Sequence, residues 1–261
     1  MIIDYDIHQL TPYINWDYFF YAWGMHNKPL AERQKLQEEA VAVLSDLEGK
    51  YKAHALFLLM DAHSEGDDIV LADGRRIPLL RQQQPGSECL CLADFLHPEH
   101  DSIGLFATTV DMGLEKDFDN DTYLKMMVQL LADRLAEAAA ECMHEAVRKT
   151  YWGYAPDEQL TMQQLHVEQF QGIRPAVGYP SLPDTSLNFV LNELLDFHQI
   201  GIRLTESGAM KPNASVSGLM MAHPEAHYFS LGTIGEDQLT DYARRRGLPV
   251  EVMRKFLTSN L

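Results

Sequence analysis

Asp133, Glu137, Glu141 and Glu145 stand four residues apart in a stretch whose apolar residues recur at helical spacing, which puts four carboxylates in one row. Like charges at that spacing disfavour a helix by about 0.2–0.5 kcal/mol per pair, so the row needs a reason. It reads either as a solvated face, relieved by Arg134, Arg148 and Lys149, or as a seat for a cation or a partner's polar groups. Farther along, Arg174-Pro-Ala-Val-Gly-Tyr-Pro180 is unlike a regular element. Two prolines and a glycine fix an irregular backbone there and leave amides and carbonyls free of a ladder. Such a loop either holds a polar ligand through its main chain or serves as a turn on which its tyrosine packs.

Other candidate groups are less complete. His97-x-x-His100, His223-x-x-x-His227 and Cys89-x-Cys91 each lack a matching second pair of ligands, whereas structural zinc takes four, so no metal site is expected. The chain has no Gly-x-Ser-x-Gly elbow, no P-loop and no Gly-x-Gly-x-x-Gly turn, which excludes the usual nucleophile and dinucleotide signatures. Its 38 acidic residues outweigh 21 basic ones, and a formal charge of -17 repels phosphate backbones and anionic lipids alike. Neither nucleic acid nor membrane is expected as a partner. No apolar run approaches the roughly 18 residues of a bilayer span, and the first residues lack the pattern of a secretory signal. Three cysteines, Cys89, Cys91 and Cys142, are an odd count, which fits a reducing cytoplasm.

The elements that must position these groups can be read from periodicity. Pro29 to Leu47 reads as an amphipathic helix closed by Gly49. Ala53 to Met60 and Ile69 to Ala72 read as a strand pair with a polar connection, and Ser102 to Val110 as a further strand. Asp121 to Lys149 is the strongest helix, carrying the acidic row and a spine of apolar residues on its other side. A short helix is expected near Leu187 to Phe197, strands near Ser215 to Met221 and Tyr228 to Leu231, and two terminal helices at Glu236 to Arg246 and Pro249 to Leu257. Helices and strands are partly segregated, which predicts an α+β fold.

Asp61-Ala-His63-Ser-Glu-Gly66 matches the Asp-x-His-x-x-Gly signature of cobalamin-binding domains. That signature needs a strand-to-helix turn followed by Ser-x-Leu and Gly-Gly; here a second strand follows, and the later motifs are missing, so His63 reads as a turn histidine. A different resemblance runs nearly end to end. Its pieces are Tyr13-Ile-Asn-Trp16, Gly66-Asp-Asp-Ile69, Cys91-Leu-Ala-Asp-Phe95, Ala132-Asp-Arg-Leu-Ala-Glu137 and Tyr151-Trp-Gly-Tyr-Ala-Pro156. More specific are Gly172-Ile-Arg-Pro-Ala-Val-Gly-Tyr-Pro180, Leu204-Thr-Glu-Ser207, Ala214-Ser-Val-Ser-Gly218, His223-Pro224 and Asp241-Tyr-Ala-Arg-Arg245. In this order they resemble the C-terminal activation domain of cobalamin-dependent methionine synthase.

The resemblance implies one C-shaped α+β domain over residues 1–261, with a twisted antiparallel sheet, a long central helix and S-adenosylmethionine in the concave face. It implies S-adenosylmethionine contacts at Asn15, Glu137, Arg174, Ala176, Gly178, Tyr179, Tyr228 and Phe229. Asp133 would meet the displaced histidine of a cobalamin domain. The chemistry is consistent, since a carboxylate wants a fork donor such as Arg174, and an ammonium and sulfonium favour carboxylates such as Glu137. No general base or nucleophile is required, because the sulfonium methyl is already activated and reduced cobalt is the nucleophile. The implied activity is reductive remethylation of cob(II)alamin held by the cobalamin-binding domain of methionine synthase, with electrons from a flavodoxin-like donor. No homocysteine, folate or cobalamin domain accompanies the module, so action in trans is expected. Reactivation of another corrinoid methyltransferase, or a non-catalytic S-adenosylmethionine sensor, are the alternatives. Departures from the family pattern are Asn15 in place of aspartate, Lys211-Pro-Asn213 in place of Trp-Pro-Gly, Leu219-Met220 in place of Trp-Tyr, and Tyr228-Phe229 in place of Tyr-Tyr.

Overall fold

A computed structural model describes residues 1–86 and 88–261. The chain opens with strand β1 (Ile2–Asp6) and helices α1 (Ile7–Leu10), α2 (Trp16–Ala22) and α3 (Leu30–Leu47). Three strands follow, β2 (Lys52–Glu65), β3 (Asp68–Leu71) and β4 (Arg76–Pro78), then β5 (Asp101–Val110). A short α4 (Gly113–Lys116) leads into the long α5 (Thr122–Ala146). Beyond it lie α6 (Met162–His166), α7 (Leu187–Leu195), a small hairpin of β6 (Arg203–Leu204) and β7 (Met210–Lys211), then β8 (Ser215–Met220). The helices α8 (Glu236–Arg246) and α9 (Val250–Phe256) close the chain.

The main sheet is antiparallel in the order β4-β3-β2-β5-β8. The 14-residue β2 is long enough to take two neighbours on one edge, β1 along Lys52 to Leu56 and β3 along Ala62 to Glu65. Its other edge pairs with β5 from Ala53 to Ala62. Gly66, at φ +60, makes the turn from β2 to β3 in a backbone conformation that glycine adopts without steric cost. His63 faces Val70 inside this hairpin, which places the Asp61–Gly66 segment in an antiparallel ladder. The fold is α+β, a curled antiparallel sheet against one long helix.

Strand alternation buries both faces of the sheet. Phe57, Phe106 and Val216 pack on the side of α5, while Leu56, Leu105 and Leu219 pack on the side of α7. Asp121 caps α5 by accepting from the backbone N–H groups of Tyr123 and Leu124, both at 3.0 Å. The small side chains of Ala136, Ala139 and Ala140 are fully buried, which lets α5 lie close to the strands, and Thr108 Oγ1 donates to the Ala136 carbonyl at 2.9 Å. On the opposite face, Leu187, Leu191 and Leu195 of α7 recur every four residues and form its buried stripe. Each fully buried leucine contributes about 1.5–3 kcal/mol relative to an exposed one. Leu239, Tyr242 and Ala243 of α8 close a third cluster with Leu231, Met253 and Leu257.

Two elements differ from expectation. The α-geometry of α5 ends at Ala146, and the expected last turn is a wider π-turn over Val147–Tyr151, with Trp152 N–H bonding the Val147 carbonyl at 2.9 Å. Tyr228 to Leu231 is not a strand: Leu231 N–H bonds the Pro180 carbonyl, but no ladder forms, and the Tyr228 side chain turns instead to the loop at Arg174. Among the described residues no helix is long and apolar enough to cross a membrane.

Candidate functional site

Two joined hollows of about 270 and 390 Å³ lie between α5, the N-terminal segment and the Arg174 loop. They share Tyr18, Glu137, Glu168, Arg174 and Tyr179. Glu141 and Asn15 line the first; Phe106, Ala176, Val216, Tyr228 and Phe229 line the second. One end is therefore charged, and the other is walled by aromatic and apolar side chains.

The Arg174 loop is held in place through its backbone. Ile173 exchanges two hydrogen bonds with Met221 at 2.9 Å, Leu219 N–H reaches the Pro175 carbonyl at 3.0 Å, and Val177 N–H reaches the Ser217 carbonyl at 2.9 Å. The sequence-based expectation of a ladder-free loop is thus corrected, since the segment is stitched to β8 around its proline. Gly218 makes this possible: a Cβ there would overlap the Pro175 carbonyl oxygen and lie 2.9 Å from Ala176 Cα. Gly178, at φ +89, turns the chain so that its N–H meets the Leu182 carbonyl; it sets Tyr179 over the hollow but does not itself line it.

Arg174 is fixed from several sides. Its Nη2 donates to Glu141 Oε2 at 2.6 Å, its Nη1 faces His144 Nδ1 at 3.3 Å, and its backbone N–H donates to the Tyr228 hydroxyl at 3.0 Å. His144 is fully enclosed and takes a second guanidinium on the same nitrogen, Arg148 Nη1 at 2.9 Å. Burial, reinforced by the charges of Arg174 and Arg148, holds its pKa well below the ordinary value. His144 is therefore neutral, with Nδ1 as acceptor and Nε2 carrying the proton toward the Tyr154 hydroxyl. Arg148 is itself bound in a fork by Glu158 at 2.7 and 2.9 Å, and the Phe170 ring lies 4.2 Å from the Arg148 guanidinium and 5.7 Å from that of Arg174. With this scaffold behind it, Arg174 has N–H donors to spare, and Tyr228, whose oxygen accepts the backbone, still has its own proton to donate.

Glu141, Glu137 and Glu168 bring their charges to bear on this cation. Glu137 Oε1 accepts from the Tyr179 hydroxyl at 2.8 Å. Glu145 accepts from Tyr13 at 2.6 Å and pairs with Lys149 at 3.3 Å. The acidic row is not a solvated face: Glu141 is buried, Arg148 serves Glu158, and Arg134 lies over the Tyr18 ring at 5.8 Å. Asn15 borders the hollow, but its Oδ1 caps α2 by accepting from Asp17 N–H at 3.1 Å, leaving its amide N–H groups for any other contact. Asp133 stands apart from the others, in a separate hollow with Glu115, Pro212 and Asn213. Burial raises its pKa, against the pull of Arg134.

Sequence reasoning left several of these residues unassigned. Glu168 borders both hollows from a left-handed backbone at φ +59, a conformation with no signal in its sequence neighbourhood, and partial desolvation raises its pKa. His144, Arg148, Glu158 and Phe170 support Arg174 across 4 to 30 residues of chain, and only the i,i+4 spacing of His144 and Arg148 was legible. Asp6, His8 and Glu48 form the group among the described residues with ligand spacing for a metal, away from the hollows. His8 already bonds Glu48 at 2.8 Å, and Lys52 pairs with Asp6 at 3.2 Å.

An anchored arginine with carboxylates beside it, next to an apolar hollow, has the chemistry to hold a small zwitterionic or cationic molecule with an apolar end. Residues 6–247 match the model of the vitamin B12-dependent methionine synthase activation domain. The chain belongs to that family. Among solved structures it is similar to the MetH reactivation domain bound to AdoHcy, at 38% identity and a TM-score of 0.93, over 100% of this chain and 90% of that one.

Proposed function

We propose that this chain binds S-adenosylmethionine in the joined hollows and presents its methyl group to cobalamin carried by a methionine synthase, restoring the methylated cofactor. The observation that carries the reading is the anchoring of Arg174, which lines the hollow together with Glu137, Glu141 and Glu168. A carboxylate on Arg174 and the Tyr228 hydroxyl, a sulfonium among the carboxylates and an adenine against Phe229, Val216 and Phe106 would use every part of the site. AdoHcy, bound by the similar reactivation domain, is what remains of S-adenosylmethionine after its methyl leaves.

The protein's part is to bind, orient and exclude water. The partner's cobalamin, once reduced by one electron from a flavodoxin-like donor, would supply the nucleophile. The sulfonium carbon–sulfur bond supplies the methyl, so no side chain needs to accept or give a proton in the transfer. Contacts at Ala176, Tyr179 and Phe229 would hold the nucleoside end, Asn15 would lie at the charged end with Glu141, and Asp133 would face the partner. Action in trans is the accompanying expectation, read from how the rate depends on the concentration of the chain.

Titration calorimetry with S-adenosylmethionine and S-adenosylhomocysteine tests the binding, and methylcobalamin absorbance in a mixture with the corrinoid enzyme and a reductant tests the transfer. Arg174→Ala should lose about 2–5 kcal/mol of binding, the usual cost of removing one side of a buried charged pair. Unchanged affinity in a folded variant overturns the assignment.

A further inference from the structure

One wall of the charged hollow carries a histidine. His166 ends α6, a short helix whose start is fixed by reciprocal bonds between Thr161 and Gln164 at 2.9 and 3.3 Å, and whose Leu165 is fully buried. The half-buried His166 ring is tied across to the N-terminal segment, with Nε2 lying 3.2 Å from the Tyr13 carbonyl oxygen. A carbonyl only accepts, so Nε2 carries the proton of the neutral ring. Nδ1 has no partner among the described residues and is where a second proton would go. Taking it up breaks no bond, and the resulting charge is shared by both nitrogens, whichever edge of the ring meets the hollow.

The charges around this ring are nearly balanced. Arg134, Glu137 and Glu141 border the same hollow from α5, Arg174 and Tyr179 from the loop, and Glu168 from the segment after α6. Tyr13, on the N-terminal side, turns its hydroxyl to Glu145. Three carboxylates against two guanidinium groups leave the hollow one negative charge in excess while His166 is neutral, and none once it is protonated. S-adenosylmethionine carries one net positive charge through its sulfonium; S-adenosylhomocysteine carries none. Building on the reading of the hollow as an S-adenosylmethionine receptor, we propose that His166 sets its choice between these two molecules. Neutral, it leaves the hollow matched to the cationic methyl donor; protonated, it leaves the hollow matched to the demethylated product. Charges within about 10 Å across such a hollow, at the effective dielectric near a protein surface, oppose each other by roughly tenfold in affinity.

The affinity ratio of S-adenosylmethionine to S-adenosylhomocysteine isolates the sulfonium. The nucleoside and amino acid ends are common to both, and any acid effect on folding, such as that of His144, cancels. Calorimetry at about pH 7 and about pH 5.5 brackets the ordinary titration of a histidine. In the wild type the ratio should fall roughly three- to fivefold from the upper pH to the lower. His166→Gln keeps a donor for the Tyr13 carbonyl but cannot titrate, so its ratio should stay within about 1.5-fold. Glu168 is the competing source of a pH effect, since partial desolvation raises its pKa against the pull of Arg174; Glu168→Gln should keep the wild-type fall. A wild-type ratio indifferent to pH overturns the proposal, as does an equal fall in His166→Gln, and both leave the functional reading intact. If His166→Gln does not fold by its melting curve, Glu168→Gln decides: a fall that vanishes there assigns the titration to Glu168 and overturns the role of His166. No binding of either ligand by the wild type removes the functional reading itself.

Discussion

The Tyr179 hydroxyl crosses the mouth of the hollow and donates to Glu137 Oε1 at 2.8 Å, closing the loop at residues 174–180 onto α5. Tyr179 is 52% exposed, so the bond is half in water and contributes little to folding. Tyr179→Phe should change unfolding free energy by less than about 1 kcal/mol. If the bond acts as a latch, the variant should release S-adenosylhomocysteine several-fold faster with an unchanged association rate. Stopped-flow fluorescence separates the two constants, and an unaltered release rate removes the latch.

Gly218 fixes how near the Arg174 loop can come to β8. Gly218→Ala drives a methyl group into the Pro175 carbonyl, and neither backbone can yield without breaking the Leu219-to-Pro175 bond at 3.0 Å. A loss of roughly 1–3 kcal/mol in stability is expected, as for other overpacked sites. Binding should weaken as well, because Arg174 is one residue away from the collision. Urea titration and calorimetry on the same sample check both; a variant with wild-type values in each shows that the loop has room to move.

His144 makes the fold sensitive to acid. Its pKa is depressed in the folded chain by burial and two arginines, and the unfolded chain carries an ordinary histidine with a pKa of about 6.5. Below that value the unfolded state binds a proton that the folded state refuses, so stability falls as pH falls. The histidine alone should cost about 1.4 kcal/mol by about pH 5.5, with no effect above about pH 7. Urea midpoints between those limits measure the slope, and His144→Asn, which keeps an acceptor for the arginines but cannot titrate, should flatten it. An equal slope in that variant assigns the acid sensitivity elsewhere.

Elements set by local pattern were legible in the sequence. The helix over Glu236 to Arg246 is found with those bounds, because acidic residues at its start, arginines at its end and Gly247 beyond them all act within one turn. The β2–β3 hairpin and β5 were legible for the same reason, although β2 runs on past Met60 to Glu65 and β3 stops at Leu71, short of Ala72. What depends on a distant partner was not. Tyr228 to Leu231 has the composition of a strand but no edge to pair with. Successive members of the acidic row are offset by about 40° around a helix of 3.6 residues per turn, so the row winds from one hollow into another. Spacing could show that Glu141 lay near Glu137, but its burial is decided by Arg174, 33 residues away. The loop around Arg174 was legible as special through its prolines and glycine, whereas its attachment to β8 was not.

Asp133 is placed to serve docking and not ligand binding. It lies one turn before Glu137 on α5 but opens into a different hollow, beside Glu115 and the Pro212–Asn213 turn, so it can change without touching the Arg174 end. Its pKa is raised by burial and by the charges of Glu137 and Glu115, with Arg134 opposing, which suits a carboxylate that gains by meeting a cationic or hydrogen-bond-donating partner. The chain carries a formal charge of -17, so encounter with basic groups on a cobalamin domain should be steered by its field and screened by salt, over a Debye length of about 8 Å at physiological ionic strength. A tethered module would work at an effective concentration of about millimolar for a short linker, whereas one acting in trans must meet its partner by diffusion. Initial rates of methylcobalamin formation should therefore rise with the concentration of this chain and saturate, and should fall with added salt. Asp133→Asn should lower the rate several-fold while calorimetry shows S-adenosylhomocysteine affinity within about twofold of wild type, because docking is then weakened while the ligand site stays intact. A rate indifferent to the concentration of this chain, from far below to above that of the corrinoid enzyme, would remove it as the activator; an Asp133→Asn rate equal to wild type would place the docking surface elsewhere.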